Sequence, residues 1–121
     1  MTIAVFGSIN MDVTAYMDRL PKPGETLHGR EYKLGLGGKG ANQAVAARKL
    51  GSDVRFICKL GNDDFAKPAE RELASYGVDL SLVKKDEAGA TGIAIINVGE
   101  GGENYISLIG GSNLTVDDSD V

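Results

Sequence analysis

Apolar residues first gather at Thr2 to Phe6 (TIAVF), a short run closed by Gly7 that predicts a buried strand. Val13 to Met17 predicts a second strand, stopped by the stiff Pro21-Lys22-Pro23-Gly24 turn. Residues 28–34 (HGREYKL) intermix polar and apolar side chains and predict an exposed strand. After the glycine cluster at 35–40 (GLGGKG), Ala41 to Leu50 is alanine-rich, carries Arg48 and Lys49 in its last turn and meets Gly51. Helix propensity, dipole and cap agree there on a helix. Val54 to Leu60 predicts the next strand. Pro68 to Tyr76 predicts a second helix, with Pro68 in its first position, Ala69, Leu73 and Tyr76 on one face and Gly77 at its end. This rhythm predicts an α/β fold with a mainly parallel sheet.

The third quarter breaks the rhythm. Thr91 to Val98 and Asn104 to Ile109 flank Gly99-Glu100-Gly101-Gly102-Glu103 and predict a β-hairpin. It either adds strands to an edge or makes a separate small sheet with residues 13–34. Thr115-Val116-Asp117-Asp118 reads as a helix start with acids at the positive end of the dipole. A chain that stops at Val121 on such a signal is expected to be the front part of a longer protein.

Composition narrows the class. A chain of 121 residues makes one domain, residues 1–121, with ordinary apolar (42%) and charged (25%) content, which excludes a disordered chain. Seventeen glycines are about twice the usual ~7%, and they cluster where the backbone must turn or approach something closely. The net charge of −4 argues against nucleic acid or an anionic membrane as partner. A single cysteine, no signal peptide and no long apolar span predict a soluble cytoplasmic protein, with Cys58 a small buried hydrophobe.

Two clusters carry candidate chemistry. Gly7-Ser8-Ile9-Asn10-Met11-Asp12 follows the carboxyl end of the first strand, where α/β sheets bind ligands. Asp12 has the two acceptor oxygens needed to grip neighbouring sugar hydroxyls, and the Asn10 amide can fix orientation. Alternatively, both merely cap a turn. Gly37-Gly38-Lys39-Gly40-Ala41-Asn42 opens the alanine-rich helix. There glycines admit a ligand to the backbone, the helix end is positive, and Lys39 and Asn42 face one space. Alternatively, it is a flexible turn with a solvated lysine.

Rival motifs are weaker. Gly35, Gly37 and Gly40 satisfy G-x-G-x-x-G, with Asp63 downstream, but a polar segment precedes them where a dinucleotide fold needs a buried strand. A Walker loop fails, because Gly40 stands where Ser or Thr must hold magnesium. His28, the one histidine, reads as an exposed residue, and Asp63-Asp64 as helix caps in preference to a metal pair.

The strings GSINMD (7–12), PKPGET (21–26), GGKGANQAVAA (37–47), KLGNDDF (59–65), TG (91–92) and GEGGEN (99–104) resemble the ribokinase/PfkB family of carbohydrate and nucleoside kinases. Within it they resemble the ribokinase branch, since fructokinase and adenosine kinase branches usually differ where Lys39 stands. The resemblance implies a parallel sheet flanked by helices and a small β lid, here segments 13–34 and 91–109, that closes over the sugar and often mediates dimerisation. It implies that Asn10 and Asp12 bind ribose hydroxyls, that Gly38, Lys39 and Asn42 line the pocket, and that Ala94, Ile96 and Leu108 cover it. The parent reaction would move the γ-phosphoryl of ATP, with Mg2+, to a ribose hydroxyl.

The family's Asp-Thr-x-Gly-Ala-Gly-Asp stretch, which carries the catalytic base and anion hole, does not occur; residues 86–92 (DEAGATG) are a faint echo. The carboxy-terminal part of the fold is therefore expected to be absent, no catalytic residue is assigned in this chain, and it is expected to lack kinase activity alone. Lys67-Pro68 at a helix entry and Ser112 before Asn113 depart from the family pattern. Exposed lid strands and sheet edge predict a homo-oligomer. The alternatives are a stand-alone sugar-binding module without catalysis and another sugar or nucleoside kinase of the family.

Overall fold

A strand–helix–strand unit opens the chain, with two extra strands inserted inside it. The computed structural model describes all 121 residues. Strand β1 (Thr2–Phe6) leads into β2 (Asn10–Tyr16) and β3 (Glu31–Gly37), then helix α1 (Lys39–Lys49) and β4 (Asp53–Gly61). Helix α2 (Ala66–Ser75), β5 (Val83–Asp86), β6 (Gly92–Val98) and β7 (Asn104–Ile109) follow, and two 3-10 turns, Gly111–Thr115 and Asp118–Asp120, end the chain.

These strands form two sheets. The first, ordered β1-β4-β5, is wholly parallel, with Val5 opposite Phe56 and Cys58 opposite Val83. The second, ordered β3-β2-β6-β7, has a parallel centre and antiparallel outer pairs. The hairpin and the early strands thus make a separate sheet.

Alternation along β4 explains the core. Val54, Phe56, Cys58 and Leu60 point to one face, where they meet Ala41 and Ala44 of α1 and Ala69 and Leu73 of α2, all buried. Small alanines let both helices lie close to that face. Side chains the size of Phe56 and Leu60 contribute about 1.5–3 kcal/mol each by leaving water. Ile9 and Met11 extend the core toward the second sheet.

Several expected boundaries move. β1 is buried on one face only: Val5 packs into the core with both helices, β1 is an edge strand, and Phe6 on the uncovered face stays 55% exposed. β2 begins at Asn10 instead of Val13, so Asn10 and Asp12 stand on a strand and not in a loop. β3 starts three residues later than expected and runs through Gly35 and Gly37, which pair with Asp12 and Asn10. α1 begins at Lys39, two residues early. α2 begins at Ala66, where Asp63 Oδ1 accepts the Ala66 N–H at 3.2 Å. Pro68 is then third in the helix, still within the turn whose N–H groups lack intrahelical partners.

Edge strand β5 (VKKD) offered no apolar alternation to reveal it. The last helix start is a single 3-10 turn capped by Asp117 and not by Thr115. Asp117 accepts the Ser119 N–H at 2.9 Å, and the Asp120 carboxylate accepts the Asp117 N–H at 2.9 Å. Ser112 is buried, its N–H on the Ala90 carbonyl and its hydroxyl on Asp86. No helix is long and apolar enough to cross a membrane.

Candidate functional site

The loop Gly7-Ser8-Ile9 joins β1 to β2 and meets the mouth of α1. Gly38 caps that helix at φ +93°, a conformation that favours glycine, and a Cβ there would stand 2.7 Å from the Ser8 carbonyl oxygen. At Gly40 a Cβ would stand 2.7 Å from Gly7 C and Ser8 N, so the helix is pressed onto the loop backbone. The Ala41 N–H seals the contact on the Ser8 carbonyl at 3.0 Å. The glycines thus bring the positive end of α1 to the start of β2.

Asn10 and Asp12, two residues apart, share one face of β2. Register carries that face across the sheet. Asp12 pairs with Ala94 and Ala94 with Leu108; Thr14 pairs with Ile96 and Ile96 with Ile106. On the other side the Asp12 carboxylate lies over Gly37, where a Cβ would come within 2.5 Å of its carboxyl carbon.

All eight sequence candidates, Asn10, Asp12, Gly38, Lys39, Asn42, Ala94, Ile96 and Leu108, line one cleft of about 480 Å³. Ser8 and Ile106 join them. The residues from 91–109 meet those from 7–42 only because β6 lies beside β2. Ile106 was legible in principle: it alternates with Leu108 along β7 and so shares its face. The apolar side stands open, with Ile106 56% and Leu108 69% exposed.

Burial raises the Asp12 carboxyl above its ordinary range. The site therefore combines a partly desolvated carboxylate, two amides, a lysine, a helix N-terminus and an aliphatic wall. Such a mixture suits a small polyhydroxylated ligand, polar on its hydroxyls and apolar on its C–H faces.

The remaining candidates have other surroundings. Asp63 accepts from the Thr91 N–H (2.8 Å), the Thr91 hydroxyl (2.7 Å) and the Ala66 N–H, which ties α2 to the start of β6. Burial would raise its carboxyl, but the hydrogen bonds from Thr91, Ala66 and Phe65 prevail and hold it below the usual range. His28 is exposed. Burial foremost pushes the Cys58 thiol up to about 12, so it stays an inert thiol. No three His, Cys, Asp or Glu side chains gather as metal ligands. The strand before the glycine cluster is the edge strand β3, unlike the buried central strand of a dinucleotide fold. A second cleft of about 240 Å³, lined by Leu36, Val45, Lys49, Glu72 and Tyr76 beyond Asn42, lacks the carboxylate–glycine–helix arrangement.

The family model described as pfkB family carbohydrate kinase matches residues 1–120. The chain belongs to this family. Among its pfkB relatives, a deoxyribokinase of Salmonella typhi is 43% identical over 121 residues, which span 100% of this chain and 40% of the relative. A ribokinase of Mus musculus is 39% identical over 119 residues, 98% of this chain and 37% of the relative. The structure of Arabidopsis thaliana ribokinase complexed with ribose and ATP superposes with a TM-score of 0.83 at 37% identity, over 91% of this chain and 36% of that one. The α/β architecture, parallel sheet and helices are thus those of pfkB kinases, and the chain spans about 40% of the length of these relatives.

Proposed function

We propose that this chain is the sugar-binding part of an ATP-dependent carbohydrate kinase, with ribose or a close pentose as ligand. The observation that supports it most is the meeting of Asp12, Asn10, Lys39 and Asn42 with Ala94, Ile96 and Leu108 around one cleft. Asp12 would accept from two hydroxyls, the amides and Lys39 would fix the ring, and the aliphatic wall would cover its C–H face. Similarity to proteins named ribokinase and deoxyribokinase supports a pentose. In that reading the β3-β2-β6-β7 sheet is the lid, and its exposed Ile106 and Leu108 lose water when the sugar enters.

ATP would supply the transferred γ-phosphoryl group. The family's catalytic-base stretch is not in the sequence, so this reading gives the residues of this chain the acceptor sugar and not the nucleotide. What these residues do is hold the acceptor sugar still and exclude water from it. We propose accordingly that the 121 residues bind sugar without turning over ATP, and that they self-associate through the open lid face or the free edge of β1.

Calorimetric titration with D-ribose tests the reading. Asp12→Ala removes charge-assisted hydrogen bonds worth about 1.5–3 kcal/mol, so affinity should fall about 10- to 150-fold. Equal affinity of variant and parent chain, or no binding by the parent chain, refutes it.

A further inference from the structure

Behind Asn10 stands a residue that no motif marked. Asn113, in the 3-10 turn after β7, addresses the backbone of Ile9 as a neighbouring strand would. Its Oδ1 accepts the Ile9 N–H at 2.9 Å, and its Nδ2 donates to the Ile9 carbonyl at 2.8 Å. The same Nδ2 reaches the Gly110 carbonyl at 3.0 Å and Asn10 Oδ1 at 2.9 Å, its two protons shared among three acceptors.

The two ends of a carboxamide are chemically opposite. A backbone N–H needs an acceptor and two carbonyls need a donor, so only one orientation of the Asn113 amide satisfies Ile9 and Gly110. That orientation dictates the next. With a donor facing it, Asn10 must turn its Oδ1 inward, and Asn10 Nδ2 has no hydrogen-bond partner within the chain. Gly92 leaves the space this pair occupies: a Cβ there would stand 2.5 Å from Asn10 Oδ1 and would collide with Asn113 Nδ2. Packing therefore places the two amides together, and the hydrogen bonds set which end of each faces the other.

We infer that Asn113 is a positioning residue that sets the polarity of the cleft. It holds Asn10 so that Asn10 presents an N–H donor to the ligand, while Asp12 presents acceptors. The ligand is then a molecule that offers an oxygen acceptor to Asn10 and hydroxyl donors to Asp12, as a sugar does. The inference rests on the sugar-binding reading and adds to it the direction of each hydrogen bond. It also explains why the 3-10 turn at 111–115 matters to a site it does not line.

A double-mutant cycle with D-ribose as probe tests it. Asn113→Asp keeps the shape and the acceptor for the Ile9 N–H but turns the donor into a carboxylate, which forces Asn10 to rotate. Affinity should fall more than about tenfold when Asn10 is present. It should fall less than about twofold further in an Asn10→Ala background. Equal losses in both backgrounds mean a structural role only and overturn the inference. If Asn113→Asp does not fold, side-chain amide exchange in the unaltered chain decides. The Asn113 amide protons should be protected throughout, and those of Asn10 should exchange freely until ribose slows them. Asn10 amide protons that ignore saturating ribose overturn it. Ribose binding that depends on Asp12 but is additive at positions 10 and 113 sinks this inference alone. A parent chain that binds no ribose sinks it together with the sugar reading.

Discussion

Gly37→Ala separates binding from folding in a way that the geometry makes quantitative. Gly37 is not among the positive-φ glycines, so alanine can adopt its backbone. The atoms nearest the new methyl would be those of the Asp12 carboxyl group, its Cγ at 2.5 Å, about 1 Å inside ordinary contact. A carboxylate at the end of a short side chain can swing aside, so the fold should lose less than about 1 kcal/mol. The swing takes the acceptor away from the cleft and removes charge-assisted hydrogen bonds worth about 1.5–3 kcal/mol, a loss of about 10- to 150-fold in ribose affinity. Gly40→Ala is the contrast. Its methyl would stand 2.7 Å from Gly7 C and Ser8 N, backbone atoms that cannot step aside, and overpacking of that kind costs about 1–3 kcal/mol of stability. Calorimetric titration and urea denaturation of both variants give the two numbers. The reasoning is refuted if Gly37→Ala binds ribose as the parent chain does, or if it destabilises as much as Gly40→Ala.

Thr91→Val should cost about 1–3 kcal/mol, because it strands the Gly61 N–H, now bonded to the Thr91 hydroxyl at 3.0 Å, in a buried position. Thr91→Ser should restore most of that loss in urea melts, and equal losses for both would contradict the hydrogen-bond account. Asp120 is held at about 2, against its ordinary 3.8, first by the Asp117 N–H and then by Lys84 and Lys59. A depressed carboxylate stabilises the fold above its unfolded pKa, and the contribution fades as pH falls from about 3.8 to about 2. The stability gap between the parent chain and Asp120→Asn should therefore close across that window, and a gap constant with pH rejects the assignment. Light scattering should show self-association of the chain, weakened by Leu108→Lys or by a charge at Phe6; a monodisperse monomer excludes it.

Periodicity made the frame legible where one face is clearly apolar. The β4 alternation Val54, Phe56, Cys58, Leu60 and the alanines of α1 became the core. Side chains facing a tertiary partner that no local pattern announces stayed hidden. β5 has one partly buried apolar residue and pairs only because α2 returns the chain beside β4. The start of β2 was hidden too, since Asn10 and Asp12 resemble loop residues until β6 and β3 close on both sides of them. The cleft was read from two dense motifs and from the family resemblance. Asn113 was missed because an isolated asparagine after two glycines signals a turn; its partners, Ile9 and Asn10, lie more than a hundred residues away.

The central claim is that a pentose sits between Asp12 and the α1 mouth under Ala94, Ile96 and Leu108. Backbone and methyl NMR shift mapping of the chain during titration with D-ribose tests it directly. The account predicts saturable shifts at residues 8–12, at 38–42 and at the methyls of Ala94, Ile96, Ile106 and Leu108. Shifts centred on Leu36, Val45 and Tyr76 instead, or none at saturating ribose, would contradict it.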